Sequence, residues 1–175
     1  MTSPEITTSL RNNHASFIHL IGQLNGEQLK QSHPHQWNPA QQLEHIYLSV
    51  RPVLLAFQLP RFIPRLLFGK ANRKSRDYDT LVCDYQAKLQ QGGKSPSTFV
   101  PGNAVNSLKR LLQLEKSIDR LCRIVDRLSD EELDNYLLPH PLLGKLTMRE
   151  MLYFTIYHVT HHHQQVEKNL VLSQH

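Results

Sequence analysis

Apolar residues recur at helical spacing in four long stretches of this chain, and no alternating strand pattern competes with them. The first stretch covers about residues 4–24, with Ile6, Leu10, Phe17, Leu20, Ile21 and Leu24 on one face. The second has a clear start. Asn38 suits the N-cap, Pro39 the first helical position, and Gln41 completes a capping box. Leu43, Ile46, Val50, Val53, Leu54 and Phe57 follow on one face, with a kink expected at Pro52. The third runs from about residue 104 to 128, with a stripe of Leu108, Leu111, Leu112, Ile118, Leu121, Cys122, Val125 and Leu128. The fourth opens on a second capping box, Thr147 with Glu150, and runs to about Leu170.

Four long helices in 175 residues predict an all-α fold, a four-helix bundle within a single domain spanning 1–175. About 45 residues separate the second long helix from the third, enough for a long crossover connection. Those two helices therefore need not be antiparallel neighbours. Shorter helical pieces are expected at Gly26–Lys30, at about 79–91 and at Ser129–Glu132. The stretch from Tyr136 to Lys145, with Pro139, Pro141 and Gly144, reads as a loop.

Charge is unevenly spread. The net +5 comes from 20 basic and 15 acidic residues. Arg61, Arg65, Lys70, Arg73, Lys74 and Arg76 lie together with no acid among them; the remainder carries 14 basic against 15 acidic residues. A solvated loop is the plain reading of that segment, and attraction of an anionic substrate is another. It fits no nucleic-acid reader motif, so nucleic acid is not the expected partner. No apolar run approaches the ~20 residues of a membrane span. The N-terminus lacks a signal-peptide pattern, and the two cysteines, Cys83 and Cys122, make neither a disulfide framework nor a metal motif. A cytoplasmic location is expected. Cys122 falls in an apolar stripe and reads as packing.

The chemistry concentrates in Tyr157-His158-Val159-Thr160-His161-His162-His163-Gln164-Gln165. His158 and His162 are four residues apart, which stacks them on one helix face and supplies half of a transition-metal site. On a helical wheel His162 points into the core, His158 sits at the margin of the apolar face, and His161 turns away. A third ligand must come from another helix. His45 is the best candidate, although it lies toward the polar edge of its helix; His14, His19 and His140 compete.

Two segments together resemble the DinB/YfiT-like superfamily. Trp37-Asn38-Pro39-Ala40-Gln41-Gln42-Leu43-Glu44-His45-Ile46 is similar to the start of that family's second helix, and His158 through Gln165 to its last-helix motif, His-x-x-His-His-x-x-Gln. The resemblance spans residues 5–170 and rests on these two motifs. It implies a four-helix bundle with a crossover, a divalent metal held by His45, His158 and His162, and often a homodimer. His161 matches a position that is not usually a ligand. The family includes metal-dependent hydrolases and enzymes that join low-molecular-weight thiols to electrophiles. The implied partners are a small-molecule substrate, or a thiol and an electrophile. The implied ion is zinc, nickel, iron or manganese. The segment 59–79 is longer and more charged than the family's pattern.

Three neutral histidines leave positions open for water or substrate, as in catalytic rather than structural sites. Glu44 and Asp84 are the carboxylates weighed as a base, and spacing selects neither. Two non-enzymatic alternatives stand beside this: a metal site without turnover, and a bundle that binds polyanions through residues 61–76. Trp37 reads as an apolar anchor before the cap.

Overall fold

The computed structural model describes residues 1–34, 36–102 and 105–172. Within them α1 spans Ser3–Gly22, α2 Gly26–Lys30, α3 Pro39–Gln58, α4 Phe62–Phe68, α5 Tyr78–Gln90, α6 Ser107–Val125, α7 Asp130–Asn135 and α8 Met148–Leu172. A short 3-10 turn occupies Ser97–Phe99, and two strands, β1 (Leu137–His140) and β2 (Gly144–Thr147), pair antiparallel. The protein is mostly helical, as the apolar periodicity requires. The expected helix start at residue 104 lies outside the described residues. So do residues 173–175 of the expected domain.

Local signals hold where they were strongest. Asn38 accepts the Gln41 backbone N–H at 2.8 Å, and the Gln41 side chain accepts the Asn38 N–H at 3.1 Å. At the start of α8, Thr147 Oγ1 accepts the Glu150 N–H at 3.1 Å and Glu150 returns the bond to Thr147 N–H at 2.9 Å. Each box satisfies backbone donors that a helix start leaves unpaired. The chain stays helical through Pro52.

Two expectations are corrected. The stretch 136–145 is not wholly loop, because β1 and β2 pair from Leu137 with Thr147 through His140 with Gly144. Gly144 takes φ +73 at the turn, a left-handed conformation that glycine adopts without a Cβ penalty. Strands of four residues, one with a proline, carry too little alternation to be read from sequence. The helix α4 was also unseen, since prolines and arginines mask its short apolar run.

The long helices close around one core. Helix α1 packs on α8 and α6, and α3 on α6 and α8. The second and third long helices are thus direct neighbours despite their long link. Phe17, Leu43, Phe57, Leu114, Leu121, Leu152 and Val159 are fully enclosed. The stripe read for α6 is shifted: Leu108 and Leu112 are exposed, while Leu114 joins the core. Cys122 is packed as expected, and burial pushes its thiol up to about 11. No single helix among the described residues is long and apolar enough to cross a membrane.

Much of the basic segment has structural work. Glu150 is fully enclosed, and Arg73 and Arg76 both close on its carboxylate. The Arg76 backbone N–H adds a bond of 2.8 Å. Arg61 meets Glu132. Burial alone would raise the Glu150 carboxyl, but these donors outweigh it and hold it down at about 2. Stability from this charge is full above 4.5, the ordinary value, and is lost as pH falls toward about 2. Glu150→Gln is therefore expected to cost about 3 kcal/mol at neutral pH, the low end for a broken buried pair because Arg73 is partly solvated. In urea denaturation the gap between wild type and variant should close as pH falls from 4.5 toward 2; a constant gap would refute the assignment.

Candidate metal centre

Helix α8 brings His158 and His162 to the core, one turn apart, and α3 presents His45 opposite them. All three are buried, with relative exposures of 4% for His45, 5% for His158 and 7% for His162. The Nε2 atoms of His45 and His158 stand 3.1 Å apart, as do those of His158 and His162. One nitrogen from each ring lies within 4.8 Å of the others, and together they form a group able to hold a metal ion. Two nitrogens on one zinc at about 2.0–2.1 Å would stand about 3 Å apart, so the spacing suits a single ion.

The hydrogen bonds around the cluster say which lone pairs face inward. His45 Nδ1–H donates to the Phe99 carbonyl at 2.8 Å, leaving its Nε2 as a lone pair. His162 Nδ1–H donates to Gln42 Oε1. Gln42 is oriented for this because its Nε2–H donates to the Trp37 carbonyl at 3.4 Å. His162 Nε2 is therefore a lone pair as well. Both face His158 Nε2, which has at most one proton to share between them. A cation accepts all three lone pairs at once, so the donor set fits a metal. Burial, then the neighbouring rings, lowers His158 and His162 well below the ordinary imidazole value, and burial lowers His45. Neutral rings are the form that ligates.

The three residues singled out from sequence thus come together, and the competitors do not join them. His14 is buried, but its Nδ1–H is taken by the Leu10 carbonyl at 2.8 Å. His19 sits in the last turn of α1, and His140 lies on β1. His161 is half-buried at the edge of the cluster, its ring centroid 5.2 Å from that of His162. Both carboxylates weighed as a base are engaged in ion pairs. Arg110 binds Glu44, and Arg76 binds Asp84 at 2.7 Å.

Sequence reading missed the residues that orient the ligands. Gln42 precedes His45 by one helical turn, which places its amide beside the same site. Trp37 is more than an anchor: its ring lies 4.7 Å from the ring of His45 and stacks at 6.3 Å on that of His162. Phe99 offers a backbone carbonyl, which no side-chain pattern could announce.

A cavity of about 600 Å³ opens from this cluster. His45 and His158 border it, and His162 does not line it. Its walls come from α3, α4, α5, the 3-10 turn, the β1–β2 hairpin and α8, and Leu55, Leu59 and Leu67 stand exposed toward solvent. Phe154 stacks on His158 with ring centroids 4.8 Å apart. Burial pushes Tyr85 up to about 12 and His140 down to about 4, so both wall residues are neutral near pH 7.

A mostly helical frame that buries three convergent histidines, two of them bordering an apolar cavity, defines a helical protein with a candidate divalent-metal pocket. A family profile described as the DinB superfamily matches residues 9–166, and the chain belongs to that superfamily. No curated protein and no solved structure matches it.

Removing an orienting bond should weaken metal binding without dismantling the ligand set. Gln42→Leu is expected to lower zinc affinity by about 10- to 100-fold. Trp37, the single tryptophan, packs on two of the three histidines and offers a fluorescence readout for a chelator competition. Unchanged affinity would show that Gln42 does not orient His162.

Proposed function

We propose that this protein is a metal-dependent enzyme that activates a small nucleophile, water or a low-molecular-weight thiol, against an electrophilic small molecule held in the cavity. The observation that carries this reading is the convergence of three neutral imidazole lone pairs at the end of a substrate-sized cavity. His45, His158 and His162 would hold the ion. With only three protein ligands, a divalent cation would keep positions open and act as a Lewis acid toward water, thiol or carbonyl.

The protein's own residues supply the rest. Phe99 and Gln42 fix two imidazoles in the ligating tautomer. Trp37 and Phe154 pack on the ligand rings and limit water around them. The surrounding frame we read as a four-helix bundle with a crossover between α3 and α6, in a single domain.

A polyanion-binding role for residues 61–76 draws less support, because Arg61, Arg73 and Arg76 are committed to internal carboxylates.

Metal-stripped protein titrated with zinc, manganese, nickel or iron should take up one ion per chain, read by elemental analysis and Trp37 emission. His45→Ala, His158→Ala and His162→Ala should each lose most of that uptake. Loaded wild type should turn over at least one member of a panel of esters, amides and thiol–electrophile pairs, and the variants none. Equal, low metal content in wild type and variants would remove the metal site. Stoichiometric metal without turnover across the panel would count against the enzyme.

A further inference from the structure

The cavity contains a second set of polar groups, separate from the metal-facing nitrogens. Its walls include Val53, Leu89, Leu138 and Met151 and no Lys, Arg, Asp or Glu. Away from the candidate metal-facing nitrogens, a charged ligand portion would leave water with no counter-ion in the walls. The part of the ligand enclosed by those walls is therefore uncharged.

Besides Ser49, Ser95 and the exposed Gln58, two wall residues offer hydrogen-bond donors. His140 Nδ1 accepts the backbone N–H groups of Leu142 and Leu143, at 3.2 and 3.1 Å. An imidazole nitrogen that accepts carries no proton, so the neutral ring has its hydrogen on Nε2. Among the described residues no acceptor takes that Nε2–H, nor the Tyr85 hydroxyl hydrogen. Both residues border the cavity. Their rings meet edge to face with centroids 6.2 Å apart. Tyr85 reaches the His158 ring at 6.3 Å, and Phe154 lies between His140 and His158, at 4.2 and 4.8 Å. The donors thus stand one ring away from a candidate ligand.

We propose that this cavity binds an uncharged, largely apolar molecule bearing a carbonyl-type oxygen, and that the Tyr85 hydroxyl and His140 Nε2–H hold that oxygen beside the metal centre. Of the other polar wall side chains, Ser95 Oγ donates to the Pro96 carbonyl at 3.5 Å, and Gln58 is exposed to solvent. Ser49 Oγ is already turned onto the His45 carbonyl at 2.8 Å. The proposal deepens the reading of the cavity as a substrate pocket and rests on it. It assigns a specificity role to two residues outside the three-histidine set. In a reaction that builds charge on such an oxygen, the same donors would stabilise it.

The test uses the full chain stripped of metal, so that it does not depend on the ion. The uncharged fluorophore prodan serves as the probe. Acetonaphthone, ethylnaphthalene and naphthoate compete with it; they share a ring and differ only in a ketone, a hydrocarbon or a carboxylate substituent. The ketone should compete about tenfold better than the hydrocarbon, as two neutral hydrogen bonds allow, and the carboxylate worst. Tyr85→Phe removes only the hydroxyl. His140→Asn keeps an acceptor for the Leu142 and Leu143 N–H groups and removes the distant donor. Each should cut the ketone preference about threefold and leave hydrocarbon affinity unchanged. Ala56→Trp, a cavity-wall substitution, should abolish prodan binding. Equal competition by ketone and hydrocarbon in wild type would overturn the proposal, and so would a preference for naphthoate. Neither result needs a variant to fold. Metal uptake is measured separately, so loss of one reading does not carry the other with it.

Discussion

Glu150 holds a negative charge where water does not reach, and much of the structure beside the metal centre hangs from that fact. A buried carboxylate must be neutralised and saturated with donors. Here Arg73, Arg76 and the backbone of Thr147 meet that need. The same contacts fix where α8 begins, and α8 carries His158 and His162. They also pull the segment before α5 down onto α8, which brings Tyr85 to the cavity wall. One charge thus links a helix start, the path of a basic loop and the shape of a pocket.

The histidine cluster shows a similar economy of support. Burying three imidazoles without partners would be costly, since each ring carries a polar nitrogen on both sides. Two outer nitrogens find partners within the protein, Phe99 carbonyl and Gln42 amide. The inner ones find each other at a spacing that a cation fits. A single His158 proton must be divided between two acceptors, whereas a cation would meet all three nitrogens at once, which is why the cluster argues for a ligand rather than for a packed core.

Helix caps and apolar faces were legible because they are local. Asn38 with Gln41 and Thr147 with Glu150 state their own geometry within four residues. His158 and His162 were legible for the same reason, being neighbours on one helix. His45 was not determined by its own helix, where it sits toward the polar edge. It is buried because the 3-10 turn at Ser97–Phe99 folds over that edge, a contact spanning more than fifty positions, and only the family resemblance chose it. The hairpin and α4 stayed hidden for another reason. Both are short, proline-bearing and held by tertiary contacts rather than by propensity. Tyr85 escaped notice, and His140 was weighed only as a metal ligand, because a neutral donor on a cavity wall has no pattern of its own.

The division of labour around the cavity has an evolutionary consequence. The three candidate ligands sit on two long helices locked into the core, whereas α4, the 3-10 turn and the β1–β2 hairpin are short pieces joined by surface turns. Such pieces tolerate changes of length and sequence far better than core helices do. A lineage built on this frame can exchange its pocket lining piecemeal while the three histidine nitrogens keep their positions. Diversity of substrate across relatives would then be a property of the walls, inherited independently of the chemistry at the floor.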